Sequence, residues 1–130
     1  MRIPKVIVGT LILIFSISCE DILEVTDISD DTVQLLAPSD SSIVAQTNVT
    51  FSWSEVFEAN QYHVQVATPN FENAAQIVFD SVVALDSTFL GTRITKTLTD
   101  SEYEWRVKAM NSGYETDFSA SSFSVNTSSN

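Results

Sequence analysis

A chain of 130 residues carrying one cysteine, 17 acids and 6 bases, at a formal −11, has room for one domain plus terminal extras. The acidic balance argues against nucleic acid and anionic lipid headgroups as partners, since each needs a basic footprint. Cys19 alone forms no internal disulfide, and with His63 as the only histidine it makes no zinc site.

The first stretch opens on Arg2 and Lys5, and Val6–Ile17 is then apolar apart from Gly9, Thr10 and Ser16. The run is shorter than the about 20 residues a membrane-spanning helix needs. It has the charge and length of a secretion signal, and small Ser18 precedes Cys19. Residues 1–19 resemble a bacterial lipoprotein signal, with Ser16 standing where the pattern has Leu, Val or Ile. The resemblance implies that residues 1–18 are removed and that Cys19 becomes a multiply acylated, palmitate-bearing first residue. Stable attachment takes more than one acyl chain, at roughly 0.8 kcal/mol per buried CH₂. Processing would remove Arg2 and Lys5 and leave 17 acids against 4 bases, a formal −13.

Glu20–Asp31 holds Glu20, Asp21, Glu24, Asp27, Asp30 and Asp31 and no base. Self-repulsion predicts a solvated, extended tether over residues 19–31. Its reach from Glu20 is roughly 40 Å at about 3.3 Å per residue. No Asp-rich calcium loop is present. Acids directly after the cysteine, Glu20 and Asp21, resemble the surface-export signals of Bacteroidota-type lipoproteins. That resemblance implies an outer-membrane protein facing outward.

From Thr32 the texture changes to short β-rich runs separated by turn residues, which predicts an all-β sandwich over residues 32–126 with a tail at 127–130. Val33–Leu36 is the first predicted strand, ended at Pro38-Ser39-Asp40. Asn48–Ser54 alternates, with Val49, Phe51 and Trp53 inward. Gln61–Thr68 does the same with Tyr62, Val64 and Val66, and Pro69-Asn70 turns the chain. Gln76–Val83 is the fourth strand, its facing ambiguous at Val78-Phe79. Thr92–Leu98 is the fifth, also without clean alternation. Tyr103–Met110 is the strictest of all: Tyr103, Trp105, Val107 and Ala109 face one way, Glu104, Arg106 and Lys108 the other. Ser119–Val125 is the seventh, with Phe123 and Val125 inward.

Trp53, Tyr62, Leu98 and the pattern Tyr103-x-x-x-Val107-x-Ala109-x-Asn111-x-Gly113 together resemble a fibronectin type III domain, a seven-stranded immunoglobulin-like sandwich. The resemblance implies a tyrosine corner at Tyr103, whose hydroxyl turns back to the preceding turn above Leu98. Thr99-Asp100-Ser101 replaces the customary Pro/Gly turn. Pro69-Asn70-Phe71 and YEWRV also resemble small fibronectin-like lipoproteins of Bacteroidota, a group that brings no defined activity with it.

No nucleophile–base arrangement or paired-carboxylate motif is visible, so the chain reads as no enzyme, with no catalytic, cofactor or metal residues. His63 falls on the outward face of its strand between Gln61 and Gln65, an exposed polar residue. Alternation places Trp53 and Trp105 in the core rather than on a sugar-stacking platform. The exposed aromatics are predicted to be Phe57, Phe71, Tyr114 and Phe118, all in loops, and these are the candidate ligand or partner contacts. Asp31-Thr32-Val33, Asp80-Ser81-Val82 and Asp86-Ser87-Thr88 resemble a Bacteroidota O-glycosylation triplet. Strand parity predicts that loops 55–60, 84–91 and 111–118 share the end where the tether arrives, placing Phe57, Tyr114 and Phe118 there and Phe71 and Ile43 at the far end. The reading that follows is a lipid-anchored outer-membrane binding module, contacting a protein or glycan through loops or strand edges. The alternative is a structural accessory subunit of an outer-membrane complex.

Overall fold

The computed structural model describes residues 24–85 and 91–128, so the signal, Cys19 and the triplet at Asp86 lie outside it. Eight strands follow in order among the described residues: β1 Leu35–Ala37, β2 Ser42–Val44, β3 Asn48–Trp53, β4 Gln61–Thr68, β5 Gln76–Ala84, β6 Arg93–Thr97, β7 Ser101–Met110 and β8 Ser119–Val125. They form two sheets, one ordered β1-β3-β6 and one ordered β2-β8-β7-β4-β5. All pairings are antiparallel except β2 with β8.

The alternation seen in sequence becomes the core. Phe51, Trp53, Tyr62, Trp105 and Val107 are at most 1% exposed. Phe51 meets Trp105 edge-on at 5.0 Å and Phe123 at 5.6 Å, and Tyr103 stacks on Phe123 at 5.4 Å, so one aromatic chain links the two sheets. The Trp105 indole N–H donates to the Pro38 carbonyl at 3.3 Å. At the other end of the core Trp53 packs on Tyr62, whose hydroxyl accepts from the Val56 amide at 2.9 Å. Burial pushes the Tyr62 phenol above its ordinary value, and the Val56 bond opposes that rise. The tyrosine corner forms without a Pro/Gly turn: the Tyr103 hydroxyl donates to the Thr99 carbonyl at 2.7 Å over buried Leu98.

Four features depart from the strand-by-strand expectation. The first strand lies at Leu35–Ala37, and a register shift there opposes Leu35 and Ala37 to adjacent Trp53 and Ser52, which throws Leu36 outward. An additional short strand, β2, exists because the Asp40 carboxylate accepts from the Ser122 amide at 2.9 Å and the Ser41 amide donates to the Ser122 carbonyl at 2.7 Å. That anchoring to β8 is long-range and leaves no local pattern. In β5, Val66 and Ala67 oppose Phe79 and Ile77, so Val78 is a bulge residue. Val78 and Phe79 therefore both pack on the core, which resolves their ambiguous alternation. In β6, Ile94 and Lys96 share the inner side, the lysine stem covering the open margin while its ammonium sits 4.3 Å over the Phe79 ring.

Packing also begins before residue 32. Ile28 is fully buried in the main core and Val33 is 1% exposed. Asp27 fixes the approach by accepting from the Ser29 amide at 2.9 Å and hydroxyl at 2.6 Å, bonds that hold its carboxyl below the ordinary value. Acid content alone predicts a solvated tether through Asp31. One isoleucine with a place in the core outweighs the repulsion of its neighbours, since exposed like charges are screened within about 8–10 Å in physiological salt.

Candidate binding surfaces

The loop grouping expected from parity is present. The Asn111 side-chain amide donates to the Thr26 carbonyl at 2.8 Å and to the Glu58 carbonyl at 3.4 Å, and the Leu85 amide donates to the Asn60 carbonyl at 2.9 Å. The incoming segment and the loops after β3, β5 and β7 thus meet at one end. Phe57 stands there 80% exposed and Tyr114 40% exposed, as the sequence predicts. Asn111 shapes this end by accepting from the Gly113 and Tyr114 amides at 3.0 and 2.8 Å. Val25 packs over Gly113, where an added Cβ would stand 3.5 Å from it.

Phe118 and Phe71 do not stay at the two ends. The loop after β7 doubles back because the Thr116 amide donates to the Ala109 carbonyl at 2.9 Å, and the buried Thr116 hydroxyl accepts from the Ala109 amide at 3.0 Å. This lays the Phe118 ring on the outer face of the five-stranded sheet. From the opposite end the Asn70 side chain caps the Asn73 amide at 2.7 Å, and the Phe71 amide donates to the Glu104 carboxylate at 2.9 Å. Phe71 therefore folds onto the same face. Both rings are half-buried, not the free loop aromatics expected.

Between them lies Arg106. Its guanidinium carbon is 4.0 Å from the Phe71 ring centre and 4.3 Å from that of Phe118, and its Nε donates to Gln65 at 2.8 Å. Lys108 lies 4.9 Å from the Phe118 ring centre and pairs with Glu115 at 3.2 Å. The Phe118 ring also meets the His63 ring, tilted, at 5.6 Å. His63 Nε2 and Asp80 Oδ1 are 2.6 Å apart and the His63 side chain is 23% exposed, so the residue expected to be an exposed polar one is half-buried and paired. That hydrogen bond is the main reason the Asp80 carboxyl lies below its ordinary value; Gln65 and the charges of His63 and Arg106 add to it.

The strand register brings these groups together: Gln65 pairs with Arg106 and Asp80, and His63 pairs with Lys108 and Val82. On neighbouring β8 the same face carries only Ala120, Ser122 and Ser124. The aromatic–cation strip therefore stands above a low, hydroxyl-bearing floor. Of the four candidate contacts, the structure brings Phe71 and Phe118 together and leaves Phe57 and Tyr114 at the tether end. Arg106 and Lys108 were visible as wet-face residues of the strictest strand, but nothing local showed that two loops close over them. Of the glycosylation triplets, Thr32 is exposed, while Ser81 pairs with buried Val64 on the inner-facing side of β5.

No protein-family model matches the chain, and no curated protein matches it significantly. Among solved structures the chain is similar to one described as "Crystal Structure of FN3tt", with a TM-score of 0.50 and 16% identity over 74% of this chain and 98% of that one. A second, from a study of computer-based redesign of a β-sandwich protein, also has a TM-score of 0.50 and 16% identity, over 75% and 93%. The fold is fibronectin type III-like. At this identity the likeness carries the architecture and nothing about a ligand.

Proposed function

We propose that this fibronectin type III-like domain is a non-catalytic binding module. It is held at the outer membrane by lipid on Cys19 and engages a protein or glycan of the cell envelope. The observation that carries the reading is Arg106 held between Phe71 and Phe118. Aromatic and arginine side chains are the groups most enriched where surfaces bind. Here they are fixed before any partner arrives, so little rotamer freedom remains to be lost on contact. Support for the anchor comes from residues 1–19, with their short basic start, apolar run and Ser18-Cys19 junction.

Cross-linked pull-down from the native membrane, with wild type beside a Phe71→Ala/Phe118→Ala double variant, tests the reading. A partner captured by wild type and lost from the variant supports it. Competition by added polysaccharide assigns the partner as glycan, and its absence assigns a protein. Equal capture by both proteins overturns the assignment of this face. A mature chain that keeps residues 1–18, or carries no acyl group, overturns the anchor.

A further inference from the structure

The sandwich is open along one side. β5 has β4 on one flank and no strand on the other among the described residues, and β6 is likewise the outer strand of its sheet. Between these two edges runs an open groove of about 740 Å³, lined by Phe79, Val82 and Val83 from β5 and Arg93, Ile94 and Lys96 from β6. In an antiparallel pair every second residue turns its backbone N–H and C=O away from the partner, so β5 presents unpaired groups along this edge. Natural edges of this kind are blunted by shortness, proline, lysine or bulges. The two remaining edges, β1 and β2, are three residues each. β5 has nine residues, QIVFDSVVA, with no Pro or Lys, and its bulge at Val78 leaves Phe79–Ala84 regular. On the outer face of the same strand Val82 is 52% exposed and, beyond the bulge, Ile77 is 46% exposed.

Charge selects the occupant. Four bases lie in the described residues, and Arg106 and Lys108 are engaged on the outer face. The other two, Arg93 and Lys96, both stand at this groove. Among the described residues the Arg93 side chain makes no hydrogen bond or ion pair, and Lys96 meets only the Phe79 ring. On a chain of net −11, this margin is where unneutralised positive charge is presented beside apolar surface. A second copy is a poor fit. Two β5 edges paired about their centres set the Asp80 carboxylates opposite each other and bring two strongly acidic bodies together.

We propose that the free edge of β5 takes an extended segment of a partner protein as an added strand. Alternate residues of that segment turn toward β6, where apolar ones cover Phe79, Val83 and Ile94 and acidic ones between them reach Lys96 and the margin at Arg93, while the remaining residues turn outward beside Asp80 and are uncharged. Main-chain bonds to β5 supply much of the affinity, and the groove supplies the pattern it reads. The regular stretch Phe79–Ala84 accommodates about 20 Å of strand. This rests on the binding-module reading but uses a different surface from the Phe71–Phe118 strip.

The test uses the full-length chain in detergent and two fluorescent octapeptides with threonine at every second position, the positions between being valine and glutamate by turns in one and valine and lysine by turns in the other. Anisotropy should show the glutamate peptide binding at least about tenfold tighter than the lysine peptide. The surface double variant Arg93→Glu/Lys96→Glu should reverse that order. Hydrogen exchange should slow within Gln76–Ala84 when the glutamate peptide is bound, and Phe71→Ala/Phe118→Ala should leave binding intact. Equal affinity for both peptides, indifference to the charge reversal, or protection falling elsewhere overturns the proposal. So does loss of peptide binding in the Phe71/Phe118 variant, which leaves the outer-face reading standing. Concentration-dependent self-association abolished by Val82→Lys assigns the edge to a second copy and likewise overturns it.

Discussion

Replacing Ile28 with alanine separates a solvated tether from a packed one. Ile28 sits in an acidic stretch, and if that stretch were a spacer the change would fall within the about ±0.5 kcal/mol of ordinary surface substitutions. In the structure Ile28 is 0% exposed and belongs to the main core with Val33, Trp53 and Val56. The loss then has two parts. Three heavy carbons forfeit their transfer energy, about 0.8 kcal/mol for each methylene-sized group, and the remaining cavity adds to this. Together they give about 3 kcal/mol, inside the 2–5 kcal/mol found for buried isoleucine-to-alanine changes. For a domain of this size each kcal/mol moves the melting temperature by roughly 4–8 °C. Urea unfolding of the mature chain, followed by tryptophan fluorescence, should show a midpoint lowered accordingly with the slope unchanged. A shift worth under 0.5 kcal/mol would return residues 24–31 to solvent and refute the packing argument.

Tyr103→Phe removes the 2.7 Å bond to the Thr99 carbonyl while keeping the stacked ring, and should cost about 1 kcal/mol in the same assay. Both indoles, 1% and 0% exposed, should resist acrylamide in the native chain and become quenchable together on unfolding; ready native quenching contradicts the core assignment. The carboxyl of Asp80 is held below 3.8, chiefly by the His63 hydrogen bond. A depressed carboxyl contributes fully above its unfolded value, and the contribution is lost as pH falls through the folded one. The stability gap between wild type and Asp80→Asn should therefore be constant near neutrality and shrink below pH 3.8. The gap is small because Asp80 is exposed. A gap that widens in acid contradicts the sign.

The layers of the sandwich were legible wherever one face is buried, because a period of two then has to be kept. β3, β4, β7 and the end of β8 alternate for that reason, and their inward residues are the core. Legibility fails where a strand's facing is set by something other than burial. Val78 and Phe79 break the pattern because a bulge turns both to the core. Lys96 stands inward because its sheet ends there and a long aliphatic stem covers the margin. β2 is three residues held by Asp40 and Ser41 against a strand some eighty residues away, so no local window contains its cause. Ile28 was hidden by charged neighbours whose repulsion is weak beside one buried side chain.

The candidate surface failed to be legible for a related reason. Parity places loops, and so their aromatics, at the ends of the sandwich, and Phe57 and Tyr114 obey it. Phe71 and Phe118 leave their ends because the Glu104 and Thr116 bonds fold their loops over the sheet, where the outward-facing cation of Arg106, flanked by the short side chains of β8, receives both rings. A guanidinium plane is large enough to receive a ring on each side, whereas an ammonium is a compact point charge. Arg106→Lys should therefore release both rings even though the charge is kept. In NMR spectra the Arg106 side-chain protons, shielded by the two rings they lie over, should resonate upfield, whereas the lysine protons that replace them should lie near ordinary values and the signals of Tyr103 and Trp105 stay in place. If the lysine protons are shielded as strongly as those of the arginine, the rings have stayed in place over the shorter cation, their own loops hold them, and the arginine is a passenger rather than the organiser of this face.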